Sequence, residues 1–335
     1  MRIIVNIGLL CVAISVAGAE IGPQERMKRG TYNVTARAKI ILRCVDQNGL
    51  AVSNATVSSA LYPFGGDFKD AIVKNGVTDN NGCFVMEGKT DSEFSYTLTK
   101  DGFYKTREIK QLNQFQEVFV KNGRWQPYGM TNTVVLKRKV NPVAMYVAGL
   151  RKKHTLIREV GEPMGFDLTV GDWVSPRGRG KTPDFHVTYI RDGSGRDYTA
   201  LELILSAEEP FAGFIKVPCD TFSQFKSPYR ADTNAVYAKE MRFSFRRNEK
   251  GRYEDGQLQA DECLILRTRT RLDKEGRLVG AYYGKIYGPL RFGFSFDAPG
   301  EMKILHYLNP NENDPNLEAD TSRNLLNPKD LGFAP

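Results

Sequence analysis

Histidine is almost missing from this chain. Three stand among 335 residues, His154, His186 and His306, and no two are spaced as paired metal ligands. A zinc-hydrolase signature is thereby excluded. Beyond residue 19 only four cysteines remain, Cys44, Cys83, Cys219 and Cys263, and none has a neighbour at metal-site spacing. No Gly-x-Ser-x-Gly elbow occurs, so a serine hydrolase of that type is not indicated. The adjacent acids Glu208-Glu209 and Asp261-Glu262 would point to opposite faces of a strand and cannot act as a pair. Helical periodicity is nearly absent too: Thr233–Met241 is the single stretch that reads as a helix. After the first 19 residues no run approaches 18 apolar residues, so nothing there spans a bilayer as a helix.

What is present begins with an export signal. Arg2 precedes the apolar run Ile3–Val16, and Ala17-Gly18-Ala19 places small residues where signal peptidase reads them. Residues 1–19 are expected to be removed, with Glu20 opening the mature chain, and the destination is periplasmic, cell-surface or extracellular. Residues 20–35 form a polar lead-in. From Ala36 the pattern turns to short strands separated by turn residues: Ala36–Val45, Ala55–Leu61, Ala71–Val77, Cys83–Glu87, Phe94–Thr99, Phe115–Val120 and Thr133–Leu136. Val140-Asn-Pro142 marks a boundary, since proline fixes its own φ and restricts the residue before it. Further strands follow at Phe185–Arg191, Thr199–Ser206, Arg242–Arg246, Cys263–Leu272, Tyr282–Tyr287 and Leu290–Phe296, with a hairpin at Arg271–Leu278. From Tyr307 the chain is dense in Asn and Pro and reads as extended. The expected fold is all-β: a sandwich over 36–139, a basic connector over 140–160, and a larger antiparallel domain with an extended C-terminal tail over 161–335.

The first of these regions carries a resemblance. Val45-Asp-Gln-Asn-Gly-Leu-Ala-Val-Ser-Asn-Ala-Thr-Val57, Thr78-Asp-Asn-Asn-Gly-Cys-Phe84 and Lys100-Asp-Gly-Phe-Tyr-Lys105 together resemble the carboxypeptidase regulatory-like (transthyretin-like, CNA-B-like) β-sandwich domain. The resemblance implies a scaffold and no activity. Some pilin- and adhesin-type sandwiches of this kind carry a Lys–Asn isopeptide bond promoted by a buried acid. Here Lys39 on the first strand would supply the amine; Asn132 precedes the last strand, where the acceptor is expected, so the sequence argues against such a bond. The second half is similar to uncharacterised secreted bacterial β-proteins, with no activity attached.

The net charge is +8, and residues 137–158 carry seven basic and no acidic residues. A solvated connector accounts for this run, while attraction to an anionic envelope polymer is an alternative. No nucleic-acid motif accompanies it. In the loop Asn122–Asn132, Trp125 and Tyr128 have the composition of a carbohydrate platform, against a reading in which Trp125 packs at the interdomain contact. Asn309, Asn311, Asn313, Asp314, Glu318 and Asp320 offer oxygen ligands suited to calcium, although Asn-Pro turns explain them equally. Cysteines, if oxidised, are expected to pair as Cys44–Cys83 and Cys219–Cys263. The function expected is non-enzymatic binding or scaffolding outside the cytoplasm, with polysaccharide as a partner. The alternatives are a polysaccharide hydrolase sited in 141–335, or a structural envelope component.

Overall fold

The computed structural model describes residues 35–63, 70–91, 93–112, 118–149, 154–194, 197–247 and 253–335. The expected signal peptide 1–19, the lead-in up to residue 34 and Arg151–Lys153 of the basic run lie outside them. The described chain is all-β, with its strands in four sheets and no helix among the described residues. No helix there is long and apolar enough to cross a membrane.

Two of the sheets form a sandwich. In one, β1 (Ala36–Asp46) pairs antiparallel with β4 (Cys83–Thr90) and parallel with β9 (Met130–Leu136), and β8 (Arg124–Gln126) and β7 (Phe119–Lys121) extend it. The other runs in the order β3 (Ile72–Val77), β2 (Thr56–Tyr62), β5 (Glu93–Thr99), β6 (Thr106–Gln111). Alternation explains how they stack, because every second side chain of β1 and β5 points inward. Ile40, Leu42 and Cys44 thus meet Val57, Leu61, Phe94 and Leu98 in one buried cluster. Each such aliphatic or aromatic side chain contributes about 1.5–3 kcal/mol on burial. The turn before β4 follows from its residues: the Asp79 carboxylate accepts the Asn81 and Cys83 amides at 2.9 and 2.8 Å. Gly82 takes φ 74, where a Cβ would lie 2.4 Å from the Cys44 carbonyl oxygen, so the turn requires glycine.

The second half stacks a seven-stranded sheet on a six-stranded one. The first runs β16 (Gly213–Pro218), β19 (Glu262–Leu272), β20 (Leu278–Gly293), β21 (Gly300–Leu308), β10 (Val143–Ala148), β22 (Ala319–Asn324), with β11 (Thr155–Ile157) on β21. The second runs β13 (Asp172–Trp173), β12 (Met164–Asp167), β14 (Phe185–Ser194), β15 (Asp197–Ser206), β17 (Glu240–Arg247), β18 (Tyr253–Gly256). Leu264, Leu266, Ile286 and Met302 face the six-stranded sheet, where Phe166, Trp173 and Phe185 stack. The other face of the same strands carries Cys263, Ile265, Tyr283, Tyr287 and Tyr307, covered by Tyr237, Leu317 and Phe333 from irregular chain. Burial on both faces removes the polar alternation that marks a half-exposed strand.

Several expectations change here. Thr233–Met241 is not a helix: its first residues are turn and bend, Tyr237 is buried under the Arg267 guanidinium at 4.1 Å, and β17 begins at Glu240. Residues 140–160 include two strands, with β10 lying between β21 and β22. Tyr282–Phe296 is not two strands; β20 is continuous from Leu278 to Gly293. The tail is extended as expected, and part of it joins the sheet as β22, parallel to β10.

Candidate functional site

The loop that reads as a sugar platform folds differently from its composition. Trp125 is 7% exposed, packs in the sandwich core and donates its indole N–H to the Thr90 carbonyl at 3.0 Å. Tyr128 is half-buried, bonds Glu87 through its hydroxyl at 2.8 Å, and has the Arg124 guanidinium 5.0 Å above its ring. The Trp125 ring is therefore part of the core and no platform, while Tyr128 stays partly exposed.

The oxygen-rich tail is held together by its own amides. Asn309 accepts Asn311 N and donates to Asn316 O, while Asp314 accepts Asn316 N and the Asn309 amide. The Asn313 carbonyl oxygen accepts Ala281 N, and Asp320 accepts Ser322 N and the Arg323 guanidinium. Among the described residues no group of three His, Cys, Asp or Glu side chains is placed to hold a metal.

All four cysteines carry free thiols. Cys83 lies opposite Arg43 in the β1–β4 ladder. Cys44, one residue on, therefore points to the other face, where burial pushes its thiol up to about 12. Cys219 and Cys263, in contrast, hydrogen-bond one another. That bond holds the Cys219 thiol below its ordinary value, and both it and burial raise Cys263.

The most reactive-looking arrangement is a closed ring of polar groups across the open edge of the sandwich. On the four-stranded sheet, Tyr96 sits opposite Glu108 in the β5–β6 ladder, and Lys110 is two residues further along the same face of β6. On the five-stranded sheet, β9 presents Asn132. Lys110 Nζ donates to Asn132 Oδ1 at 2.6 Å and lies 3.2 Å from Glu108 Oε1. Asn132 Nδ2 donates to the Tyr96 hydroxyl at 3.2 Å, and that hydroxyl donates to Glu108 Oε2. Burial, then the bond to Glu108, pushes the Tyr96 phenol far above its usual range. Glu108 is 6% exposed. An amine thus touches both a carboxamide and a carboxylate, with the amide and the acid joined through the Tyr96 hydroxyl.

This ring corrects the sequence expectation. Asn132 lies inside β9 rather than before it, and its lysine partner is Lys110 and not Lys39. Lys39 pairs in register with Glu87 on the other side of β1. Nothing local to Lys110 announces the contact, because only the stacking of two sheets brings β6 and β9 together.

A second polar cluster joins the halves. The Glu318 carboxylate, 1% exposed, accepts the Tyr104 hydroxyl at 2.7 Å and the Val140 and Asn141 amides at 2.9 and 2.6 Å. Lys137 donates to the carbonyls of Phe225 and Ser227 at 3.0 and 3.3 Å, and burial lowers its pKa. Behind it Lys285, fully buried, donates to Ser227 Oγ, Tyr287 Oη and Leu317 O at 3.1, 2.8 and 2.7 Å. The rings of Phe225, Tyr287 and Tyr307 lie 4.8, 4.6 and 4.7 Å from its nitrogen. Burial holds this amine well below the usual lysine range.

A buried ion triad completes the interior. Arg269 bonds Asp184 at 2.8 and 2.9 Å and Asp167 at 3.0 Å. It takes φ 48 at a bulge in β19, the kind of irregularity that re-aims a side chain. Both carboxylates are occupied by this cation and by backbone amides, and they read as a structural clasp.

No protein-family model matches this chain, and no curated protein matches it. Among solved structures it is similar to the major pilin subunit of Bacillus cereus, with 14% identity over 79% of this chain and 95% of that one, at a TM-score of 0.22. The shaft pilin of Lactobacillus rhamnosus GG matches with 9% identity over 53% and 90%, at 0.20. The 3-chlorocatechol 1,2-dioxygenase of Rhodococcus opacus matches with 12% identity over 32% and 62%, at 0.26. The chain thus spans less than two thirds of that dioxygenase. Overlays at these scores establish no shared fold.

Proposed function

We propose that this chain is an exported, non-enzymatic scaffolding protein of the envelope or cell surface. In this reading residues 36–139 are a regulatory-like, pilin-type sandwich that stiffens by covalently joining its own two sheets. The observation that carries the proposal is the Lys110–Asn132–Tyr96–Glu108 ring. Lys110 Nζ loses a proton and bonds to Asn132 Cγ, and Asn132 Nδ2 leaves as ammonia. Glu108 is placed to take the proton from Lys110 and, through Tyr96, return it to the departing nitrogen. The product is one amide across the sandwich edge, formed once per molecule with no cofactor or oxidant.

A link between sheets suits a load-bearing part, since it restricts the unfolded chain as a disulfide does. The hydrolase alternative lacks support of this kind: Asp167 and Asp184, two buried acids brought together in the second half, are both clamped by Arg269, and glycoside hydrolysis uses two carboxyl groups facing a substrate. The test compares trypsin resistance of the full chain with that of Glu108→Gln, which keeps the shape but removes the proton carrier. The wild-type sandwich should survive trypsin at temperatures at which the variant is cut. Equal resistance would overturn the proposal.

A further inference from the structure

The outer face of the seven-stranded sheet is left uncovered in one place, and the opening is positively charged. A cavity of about 560 Å³ lies between β20, β21, the loop following β16 and the C-terminal tail. Its floor is Tyr287, Leu305 and Phe333; around it stand Lys226, Arg291, Lys303 and Lys329, against the single acid Asp330. Arg291 and Lys303 are direct cross-strand partners. Like charges so opposed work against the sheet, and among the described residues Arg291 has a carboxylate near it, Asp255 at 3.3 Å, while none pairs with Lys303. The four cations come from four separate pieces of chain, so their convergence is a property of the fold and not of a basic run.

We infer that this cavity binds an acidic polysaccharide, whose carboxylates meet Lys226, Arg291, Lys303 and Lys329. The volume is that of an ordinary ligand cleft. Four cations against one acid around a single cavity carry more positive charge than one small anion would neutralise, and a polymer of repeating anions matches them better. A nucleic acid is the weaker fit, since the two floor rings, Tyr287 and Phe333, are 1% and 6% exposed and offer no face on which a base could stack. The inference does not depend on the cross-link in the sandwich and can fail without it.

The test is a titration of the full chain with a short oligogalacturonate at low and at physiological ionic strength. A neutral glucan of the same length and a single-stranded oligonucleotide of the same charge serve as comparison probes. Binding of the oligogalacturonate should weaken as salt rises, because exposed charges are screened. It should weaken at least about tenfold in the Arg291→Gln/Lys303→Gln double variant, and the neutral glucan should not bind. Should the double variant fail to fold, Lys329→Gln, at an exposed position, should still weaken binding several-fold. Oligogalacturonate binding untouched by these substitutions, no binding at low salt, or tighter binding of the oligonucleotide would each overturn the inference.

Discussion

Two lysines, the partly exposed Lys110 of the sandwich and the fully buried Lys285 of the second half, keep opposite company. Lys110, in the sandwich, touches a carboxylate and a carboxamide. Lys285, behind the seven-stranded sheet, touches two hydroxyls, a backbone carbonyl and three aromatic rings, and among the described residues no carboxylate lies within ion-pair distance. The first is surrounded by groups that can exchange a proton and accept a nucleophile. The second is surrounded by groups that can only hold it. Burial of an amine is therefore not a sign of chemistry by itself; the electrophile and the proton carrier beside it are.

The largest effect expected is on the Lys285 side. Cys219 and Cys263 are poised to join when a low-molecular-weight disulfide accepts their two electrons: the half-buried Cys219 attacks, and the buried Cys263 displaces the second thiol. The bridge should stabilise the chain by about 3–4 kcal/mol, given the length of loop it closes. Peptide mapping after treatment with oxidised glutathione should find Cys219 linked to Cys263, with Cys44 and Cys83 free because they point to opposite faces of the ladder. A Cys44–Cys83 link would contradict this account of the sandwich.

Substituting each lysine sharpens the contrast. Lys110→Met removes the cross-link to Asn132, which closes a loop of about 22 residues, and should cost about 3 kcal/mol in chemical denaturation at neutral pH. Lys285→Met abandons no charge and should cost less; equal losses would show that the two environments do not differ as described.

The two faces of the seven-stranded sheet also differ in their pH dependence. On the face toward the six-stranded sheet, His306 is fully buried, bonds the Leu168 carbonyl at 3.1 Å and has no partner at Nδ1. Burial lowers its pKa to about 4. Its folded pKa is depressed, so the unfolded chain takes up the proton first as pH falls. Stability present above pH 6.5 is lost on the way to pH 4, by about 3 kcal/mol. Unfolding curves for wild type and His306→Phe should diverge across that window and run parallel above it. On the other face burial likewise holds Lys285 below the ordinary lysine value of 10.5, so stability should rise with pH in the window just below that value, by up to about 1.4 kcal/mol per unit. Lys285→Met should flatten that slope, and a slope surviving the substitution would assign it elsewhere.

Much of the sandwich was legible because its strands are half-buried: the alternation in β1 and β5 and the Asp79–Gly82 turn locate themselves. The second half was harder for a physical reason. β19 and β20 are buried on both faces, so alternation vanishes and one long strand reads as two. β10 hides between Lys137–Lys139 and Arg151–Lys153, where charge suggested a connector. Thr233–Met241 lacks glycine and proline and so reads as helix, yet its packing against Arg267 and the sheet decides otherwise. Trp125 shows the limit of composition, since an Asn- and Gln-rich loop says nothing about which side its ring faces. The candidate sites were least legible of all. Lys110 and Asn132, like Arg291 and Lys303, become neighbours only once strands have paired and sheets have stacked.

The most direct test of the cross-link is the intact mass of the purified chain, compared with that of Lys110→Arg. Wild type should be lighter by the mass of one ammonia than the sequence counted from its observed N-terminus, and Lys110→Arg should have the full mass of that same sequence. A wild-type chain at full mass, with Lys110 and Asn132 recovered on separate, unlinked peptides, would contradict the account.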